Sequence, residues 1–348
     1  MSKKKIVFYY PDMYVGGVEM AILNLAKRIY KDYDLYFFYR TILSMELAKE
    51  LAKYGIPRNI RLPQADFECD ALIYCSLWYE SNEFTSFIKP KRRILWCHAM
   101  IPPAGNKFYH LPFMRKIDDI VIVSKAAEKT IPIRLYPEKI VKKIHTILNI
   151  VNVEEVKSKA NEEPQVNIKL AKDLNISTTA RLSHEKGWHR IKLLCNEFSK
   201  IPNLDWKWFI IGEGHSKNEL IKIHTLLDKF PQVEFLGKQM NPFPIVKQMD
   251  YTALLSDFES WGLVITEGKI LGKPQIVTDF PAAYEQVEDG VNGIIVPMNN
   301  YNKYAEIANR IVKDKESYKK NLDNFDFEIE NQKSVKEWKE ILNKERGM

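Results

Sequence analysis

Cysteine is scarce in this sequence and never closely paired: Cys69, Cys75, Cys97 and Cys195 are the only four in 348 residues. With no Cys-x-x-Cys spacing, a disulfide framework is excluded and the pattern reads as free thiols in a reducing cytoplasm. The seven histidines form no His-Glu-x-x-His set, so neither a structural nor a catalytic zinc site is expected. No run of about 18 uncharged apolar residues is present to span a bilayer. The opening "MSKKKIVFYYPDMY" carries a basic cluster but no long apolar region or small-residue cleavage site, and it reads as a first strand, not a secretion signal. The full Gly-x-Gly-x-x-Gly turn of a dinucleotide-binding domain is missing, which removes support for a nicotinamide enzyme. The basic residues follow no nucleic-acid-binding motif, so no nucleic-acid partner is expected.

What is present fits a globular protein of more than one domain. Apolar residues make up 45% and charged residues 28%, and the length calls for two domains. The net charge of +7 favours phosphorylated ligands or an anionic membrane surface, and also serves plain solubility. In the first half, "KIVFYY", "YDLYFFY", "ALIYCSLW", "RRILWCHA" and "DIVIVS" are short apolar runs bounded by polar residues. Between the first two, "VEMAILNLAKRIY" places Ala21, Ile22, Leu25, Ala26 and Ile29 at helical spacing. This is the pattern of a buried parallel sheet with helices on its faces. Residues 155–172 lose the pattern and read as a linker. The alternation then restarts with "LNISTTARL", "DWKWFIIG", "VEFLG", "YTALLS" and "PQIVTD". The expected fold class is α/β, two doubly wound Rossmann-like domains over residues 1–160 and 161–325. A lysine-rich helix over 326–348 carries Trp338 and Leu342 on one face and is expected to pack back on the first domain.

Four loops are candidates for holding phosphate. Gly16 and Gly17 lie between the first strand and first helix, where backbone can approach a ligand and free N–H groups face an anion; a tight turn fits them equally. In "ARLSHEKGWHRI", Arg181 and Lys186 flank a strand-to-helix loop, and a guanidinium fork with a lysine point charge suits a diphosphate. A solvated loop is the plain alternative. Gly212 and Gly214 in "WFIIGEGHSKNEL" put a third loop at the same sheet edge, where open α/β sheets bind ligands. The fourth stretch is "FESWGLVITEGKILGKPQIVTD". Glu259 precedes a helix, and Glu267 sits about a turn and a half inside it. The amides near Gly262, Leu263 and Val264 are expected to point toward whatever Arg181 and Lys186 hold. Gly272 and Pro274 close the helix. An apolar helix does not bury a carboxylate without a partner, and sugar or ribose hydroxyls suit both glutamates.

Taken together and in order, "GGVEMAILNLAKRI", "VIVSKAAEKTI", "IHTILNIVN", "ARLSHEKG", "IGEGHSKNEL", "FESWGLVITEGKILGKP" and "DGVNGIIVP" resemble the family-four retaining glycosyltransferases of bacterial cell-surface polysaccharide synthesis. The resemblance implies the GT-B fold, two Rossmann-like domains facing across a cleft, the first binding acceptor and the second the nucleotide-sugar donor. It implies that Arg181 and Lys186 grip the donor diphosphate and that Glu259 contacts the transferred sugar. Glu267 would contact the ribose, Gly16 and Gly17 would face phosphate and acceptor, and His98 would lie beside the donor sugar. By the same resemblance no metal or other cofactor is needed, and a UDP-sugar is the expected co-substrate. One departure is Phe280-Pro281-Ala282-Ala283, where relatives often carry a Gly-Gly loop.

Two rivals stand beside this reading. A glycoside hydrolase would use Glu259 and Glu267 as acid and base, but it has no need of phosphate-binding loops. A non-catalytic glycosyltransferase-like subunit binding a glycan or partner protein would have no turnover. The expected acceptor is a glycan or lipid-linked saccharide. "KPKRR" at 89–93 and "KFYHLPFMRK" at 107–116 mix cations with apolar residues, as a peripheral site on an anionic membrane does. Solvated loops over a sheet edge explain them as well.

Overall fold

The computed structural model describes residues 2–345 apart from 14–15, 43, 61–64, 76–84, 99–114, 130–137, 215 and 323–325. The chain divides into two compact units, one formed by Met1–Val151 with Glu328–Met348 and the other by Asn152–Phe327.

The first unit contains strands β1 (Lys4–Tyr9), β2 (Asp12–Met13), β3 (Tyr33–Tyr39), β4 (Thr41–Ile42), β5 (Ile56–Asn59), β6 (Phe67–Tyr74), β7 (Ile88–Cys97), β8 (Asp119–Ile122) and β9 (Ile144–Thr146). Seven of them form a parallel sheet in the order β5-β3-β1-β6-β7-β8-β9, and β2 pairs with β4. β1 and β8 are buried on both faces, with Ile6, Val7, Phe8, Ile120, Val121 and Ile122 all at or below 1% exposure. Strands this apolar need cover above and below. The helix Gly17–Ile29 supplies part of it through Ala21, Ile22, Leu25, Ala26 and Ile29.

The helix Phe327–Asn343 adds Trp338, whose ring meets Trp96 of β7 edge-on at 4.8 Å. Two polar anchors fix this helix. Asn331 donates to the carbonyl of Val151 (2.7 Å) and accepts from its N–H (3.1 Å). Arg92 of β7 donates to the Ile341 carbonyl and pairs with Asp119, which also receives His145 (2.9 Å) and Lys344 (3.1 Å). The "KPKRR" segment is therefore the first half of a strand and not a loop. Lys89 and Lys91 pair with Asp66 and Asp70, and Arg92 is buried. Of "KFYHLPFMRK", residues 107–114 lie outside the described residues.

The second unit contains β10 (Leu174–Thr179), β11 (Trp206–Ile211), β12 (Val233–Gly237), β13 (Tyr251–Leu254), β14 (Gln275–Thr278) and β15 (Gly293–Val296). They form one parallel sheet in the order β12-β11-β10-β13-β14-β15. The order reverses between β10 and β13, and such a switch point is where open α/β sheets take ligands, beyond the strands' carboxyl ends. β10 and β13 are in register only at Ile176–Tyr251 and Ser177–Thr252. The core is aromatic, with Trp206, Trp208, Phe198 and Tyr251 fully buried. The stretch read as a linker begins inside a helix, Val153–Lys159. Asn152 caps it by accepting from the Glu155 N–H (3.1 Å), and Val153 and Val156 are buried. All four cysteines are unpaired and buried. Among the described residues no helix is long and apolar enough to cross a membrane.

Candidate active site

Two loops meet at the carboxyl end of the second unit's switch point. The loop after β10 runs through Arg181 into a short 3-10 turn, His184–Lys186, and then Gly187, which takes a left-handed conformation (φ 70°). A Cβ at Gly187 would stand 1.8 Å from the Leu255 carbonyl oxygen. Only glycine lets the β10 loop approach the β13 loop this closely. Arg190, on the next helix, locks the approach. Its buried guanidinium donates to the Leu255 carbonyl (3.1 Å) and to Asp257 Oδ1 (2.6 Å), while the Asp257 N–H donates to the Glu185 carbonyl (2.8 Å). The Ser256 carbonyl accepts from Thr278 at the end of β14 (2.5 Å).

The clamp brings together two of the residues singled out from sequence. Lys186 Nζ lies 2.6 Å from Glu259 Oε1, each side chain only 16% exposed, and Ser256 Oγ donates to the same oxygen at 2.8 Å. Arg181 remains exposed, its Nη2 resting 3.2 Å from Glu185 Oε1. Burial pushes Glu185 up, but the Ser183 hydroxyl, a backbone N–H and the Lys186 and Arg181 charges outweigh it and hold the carboxyl below the usual range. Gly212 and Gly214 support this loop from behind. Their Cβ atoms would stand 1.9 Å from the Ala180 carbonyl oxygen and 2.5 Å from that of Leu182. Their glycine identity is set by the close passage of the Arg181 segment.

The helix Leu263–Ile270 starts from Gly262, in a left-handed conformation (φ 82°), with no side chain capping its first N–H groups. Leu263 is buried and Val264 half-buried. Gln286 holds the start of the helix: it donates to the Trp261 carbonyl and accepts from Thr266 Oγ1 (2.8 Å), which in turn receives Trp261 Nε1 (3.2 Å). Glu267 is half-buried beside a cavity of about 20 Å³ lined also by Thr179, Phe243, Thr252 and Gln275. No hydrogen bond or ion pair reaches its carboxyl among the described residues. Desolvation pushes it up to about 7, with the Lys159 charge pulling the other way. Such a carboxyl lacks the donors that would stabilise its charge.

Gly16, Gly17 and His98 belong to the first unit. Gly16 has an extended backbone (φ −159°) and heads the first helix. A Cβ on Gly17 would meet nothing within 4 Å. Neither position shows the positive φ of a tight glycine turn. His98 follows β7 with its ring 4.4 Å from Trp96, and Nε2 is buried without a hydrogen-bond partner among the described residues. Burial lowers its pKa to about 3. Where a Gly-Gly loop is frequent, Phe280 leads into the 3-10 turn Pro281–Glu285, with Phe280, Ala282 and Ala283 fully buried.

Sequence reading missed Ser256, Asp257, Arg190 and Gln286. Ser256 and Asp257 left a usable signal, two polar residues where an apolar strand ends just before Glu259. Arg190 and Gln286 left none, because their roles depend on contacts 65 and 25 residues away.

Residues 159–324 match the family described as glycosyl transferases group 1. N-acetyl-alpha-D-glucosaminyl L-malate synthase of Bacillus anthracis is 28% identical over 155 residues, 43% of this chain and 41% of the relative. The N-acetylgalactosamine-N,N'-diacetylbacillosaminyl-diphospho-undecaprenol 4-alpha-N-acetylgalactosaminyltransferase of Campylobacter jejuni is 27% identical over 174 residues, 50% of this chain and 45% of the relative. The chain thus spans less than half the length of these curated relatives. Among solved structures, Anabaena HepE in complex with UDP and glucose is similar with a TM-score of 0.75 and 16% identity, over 97% of this chain and 100% of that one. At that identity the likeness is one of fold, that of the GT-B glycosyltransferases. Residues 159–324, which carry Arg181, Lys186, Glu259 and Glu267, belong to the glycosyl transferases group 1 family.

Proposed function

We propose that the chain is a retaining glycosyltransferase, moving a sugar from a nucleotide-diphosphate sugar, with UDP as the nucleotide, to a glycan or lipid-linked acceptor in cell-surface polysaccharide synthesis. The observation that carries this reading is the Lys186–Glu259 pair at the switch point, 2.6 Å apart and fixed by the clamp through Arg190. A lysine ammonium has three donors, so Lys186 can keep Glu259 in place and still face a phosphate. Arg181, whose guanidinium is held among the described residues by Glu185 alone, is available to turn its fork toward the same diphosphate. Glu259 then orients hydroxyls of the transferred sugar, and Glu267 accepts from the ribose. Gly17, with open space at its Cβ, leaves room for a ligand.

In this mechanism the bond from the sugar's anomeric carbon to the diphosphate breaks as negative charge grows on the leaving oxygen. Arg181 and Lys186 are already in place to meet that charge, which costs no reorganisation at the moment of reaction. The acceptor hydroxyl attacks from the same face, and its proton passes to the departing phosphate. The two cations do the neutralising, so the reaction is proposed to need no metal. Peripheral attachment to an anionic membrane surface rests on the net charge of +7, since Lys89, Lys91 and Arg92 are already paired with carboxylates. Flotation with anionic liposomes at low salt tests it, and the absence of binding removes it.

A thermal-shift screen against UDP-, GDP- and dTDP-sugars tests the donor, followed by release of nucleotide diphosphate on adding acceptor. A UDP-sugar should raise the melting temperature, and NMR of the product should show the donor's anomeric configuration. No stabilisation by any nucleotide sugar would sink the proposal.

A further inference from the structure

Among the described residues, all exposed large aromatic side chains lie on loops at one edge of the second unit's sheet. Phe258, Tyr284 and Tyr301 are 57%, 63% and 52% exposed, while the other exposed large hydrophobics are aliphatic or methionine. Single exposed apolar residues scattered over a surface need no explanation. These three are not scattered. Phe258 follows β13, Tyr284 follows β14 and Tyr301 follows β15, so each lies on a loop leaving the same edge of the parallel sheet, in strand order.

The loops are joined to one another and to the site. Thr278, at the end of β14, donates to the Ser256 carbonyl (2.5 Å), and Gln286 ties the Tyr284 turn to Trp261. The Asp279 N–H donates to the Val296 carbonyl (3.1 Å), and Asp279 Oδ1 accepts from the Met298 N–H (2.9 Å), joining the loops after β14 and β15. Tyr301 stands 5.9 Å from the buried Tyr304 ring in an edge-on arrangement. Phe258 is the immediate neighbour of Glu259. Strands about 4.8 Å apart put the three loops across roughly 10 Å, the length of two sugar rings. A pyranose has apolar C–H faces and a polar rim, and tyrosine matches it with a flat apolar body and a hydroxyl tip.

We infer that Phe258, Tyr284 and Tyr301 form a stacking platform for successive rings of an oligosaccharide acceptor, so that the acceptor is a saccharide chain and not a single small molecule. This inference rests on the proposed glycosyl transfer. It assigns acceptor binding to the second unit, where sequence placed the acceptor on the first.

The test uses the full chain and soluble gluco-, galacto- and N-acetylglucosamine oligosaccharides of one to six rings, followed by saturation-transfer NMR. Binding by at least one series should tighten about tenfold or more between one ring and three. Tyr284→Ala and Tyr301→Ala should each weaken trisaccharide binding about threefold to tenfold. Both variants should keep the wild-type circular dichroism and the wild-type thermal shift with UDP. A wild-type protein that UDP stabilises but that shows no dependence on chain length in any series overturns the platform and leaves the transferase reading standing. Variants that bind trisaccharide like wild type also overturn it. So does loss of the UDP shift in Tyr284→Ala, which would assign the aromatics to the donor. If no nucleotide sugar stabilises the protein while the chain-length effect persists, the transferase reading fails and the saccharide platform remains.

Discussion

Glu259 and Glu267 lie eight positions apart in the sequence and in opposite surroundings. Glu259 stands on a loop with a lysine at 2.6 Å and a serine hydroxyl at 2.8 Å on the same oxygen. Glu267 sits in the helix Leu263–Ile270 with no hydrogen bond from the described residues, and burial pushes it up to about 7. The first carboxylate is set in place by the fold before any ligand arrives. The second has the energetics of a group still short of its donors. In the proposed mechanism the first orients the transferred sugar and the second recognises the ribose, and the contrast can be tested residue by residue.

The largest effects should come from the two cations and Glu259. Lys186→Ala and Arg181→Ala should each lower kcat about 10²–10³-fold, because the contact proposed for them with the leaving diphosphate strengthens as charge develops. Glu259→Ala should also fall mainly in kcat, since a misplaced reacting ring is costly. Steady-state kinetics at saturating donor checks all three. Near-wild-type kcat would remove this loop from the mechanism.

Glu267→Ala should behave differently, raising the donor KM about 10- to 100-fold with little change in kcat. That is the size of a hydrogen bond to a charged group made equally in ground and transition states. If Glu267→Ala is the kcat knockout and Glu259→Ala only weakens donor binding, the two roles are reversed.

A third test concerns protons. In the folded chain Glu267 keeps its proton up to about pH 7, whereas the unfolded chain releases it near 4.5. Its contribution to stability is therefore fully present below 4.5 and is lost as pH rises through 7. Donor binding should run the other way, because ribose hydroxyls stabilise the charged form. UDP affinity measured by calorimetry should fall by up to about fivefold from pH 7 to pH 6, and Glu267→Gln should flatten that dependence. An unchanged profile in the variant would detach this carboxyl from the nucleotide.

A last test concerns His98 and reads stability alone, because there the same desolvation acts on a cation. Its pKa falls from 6.5 to about 3, so the unfolded chain takes up the proton first. Stability from this group is present above pH 6.5 and is lost as pH falls toward 3, by at most about 1.4 kcal/mol per pH unit. Urea midpoints for wild type and His98→Phe should differ in slope over that window and run parallel above it.

Most of the sheet architecture was legible because buried parallel strands are short apolar runs, and "KIVFYY", "DWKWFIIG" and "YTALLS" each hold one. β7 was only half legible. Its run IKPKRRILWC puts Pro90 and Arg92 at alternating buried positions, where proline and arginine ordinarily argue against a strand. Both have local reasons. β8 pairs with β7 only from Ile94 onward, so Pro90 has a ladder partner on β6 alone. Arg92 is tolerated by its pairing with Asp119 and the Ile341 carbonyl. At the candidate site, spacing and residue type singled out Lys186 and Glu259. The clamp that holds them together rests on Arg190, Gly187 and Asp257, and it appears only once the β10 and β13 loops are folded against each other.

The anchoring of Trp338 and Asn331 has a consequence for how the chain is made. The core around Trp96 and the hydrogen bonds to Val151 are completed by a segment that the ribosome delivers only after the 152–327 stretch. At about 5–20 residues per second, the nascent first unit waits on the order of 10–40 s with that face of its sheet uncovered. During that interval the second unit, continuous in the chain, can finish folding before the first sheet receives its last helix.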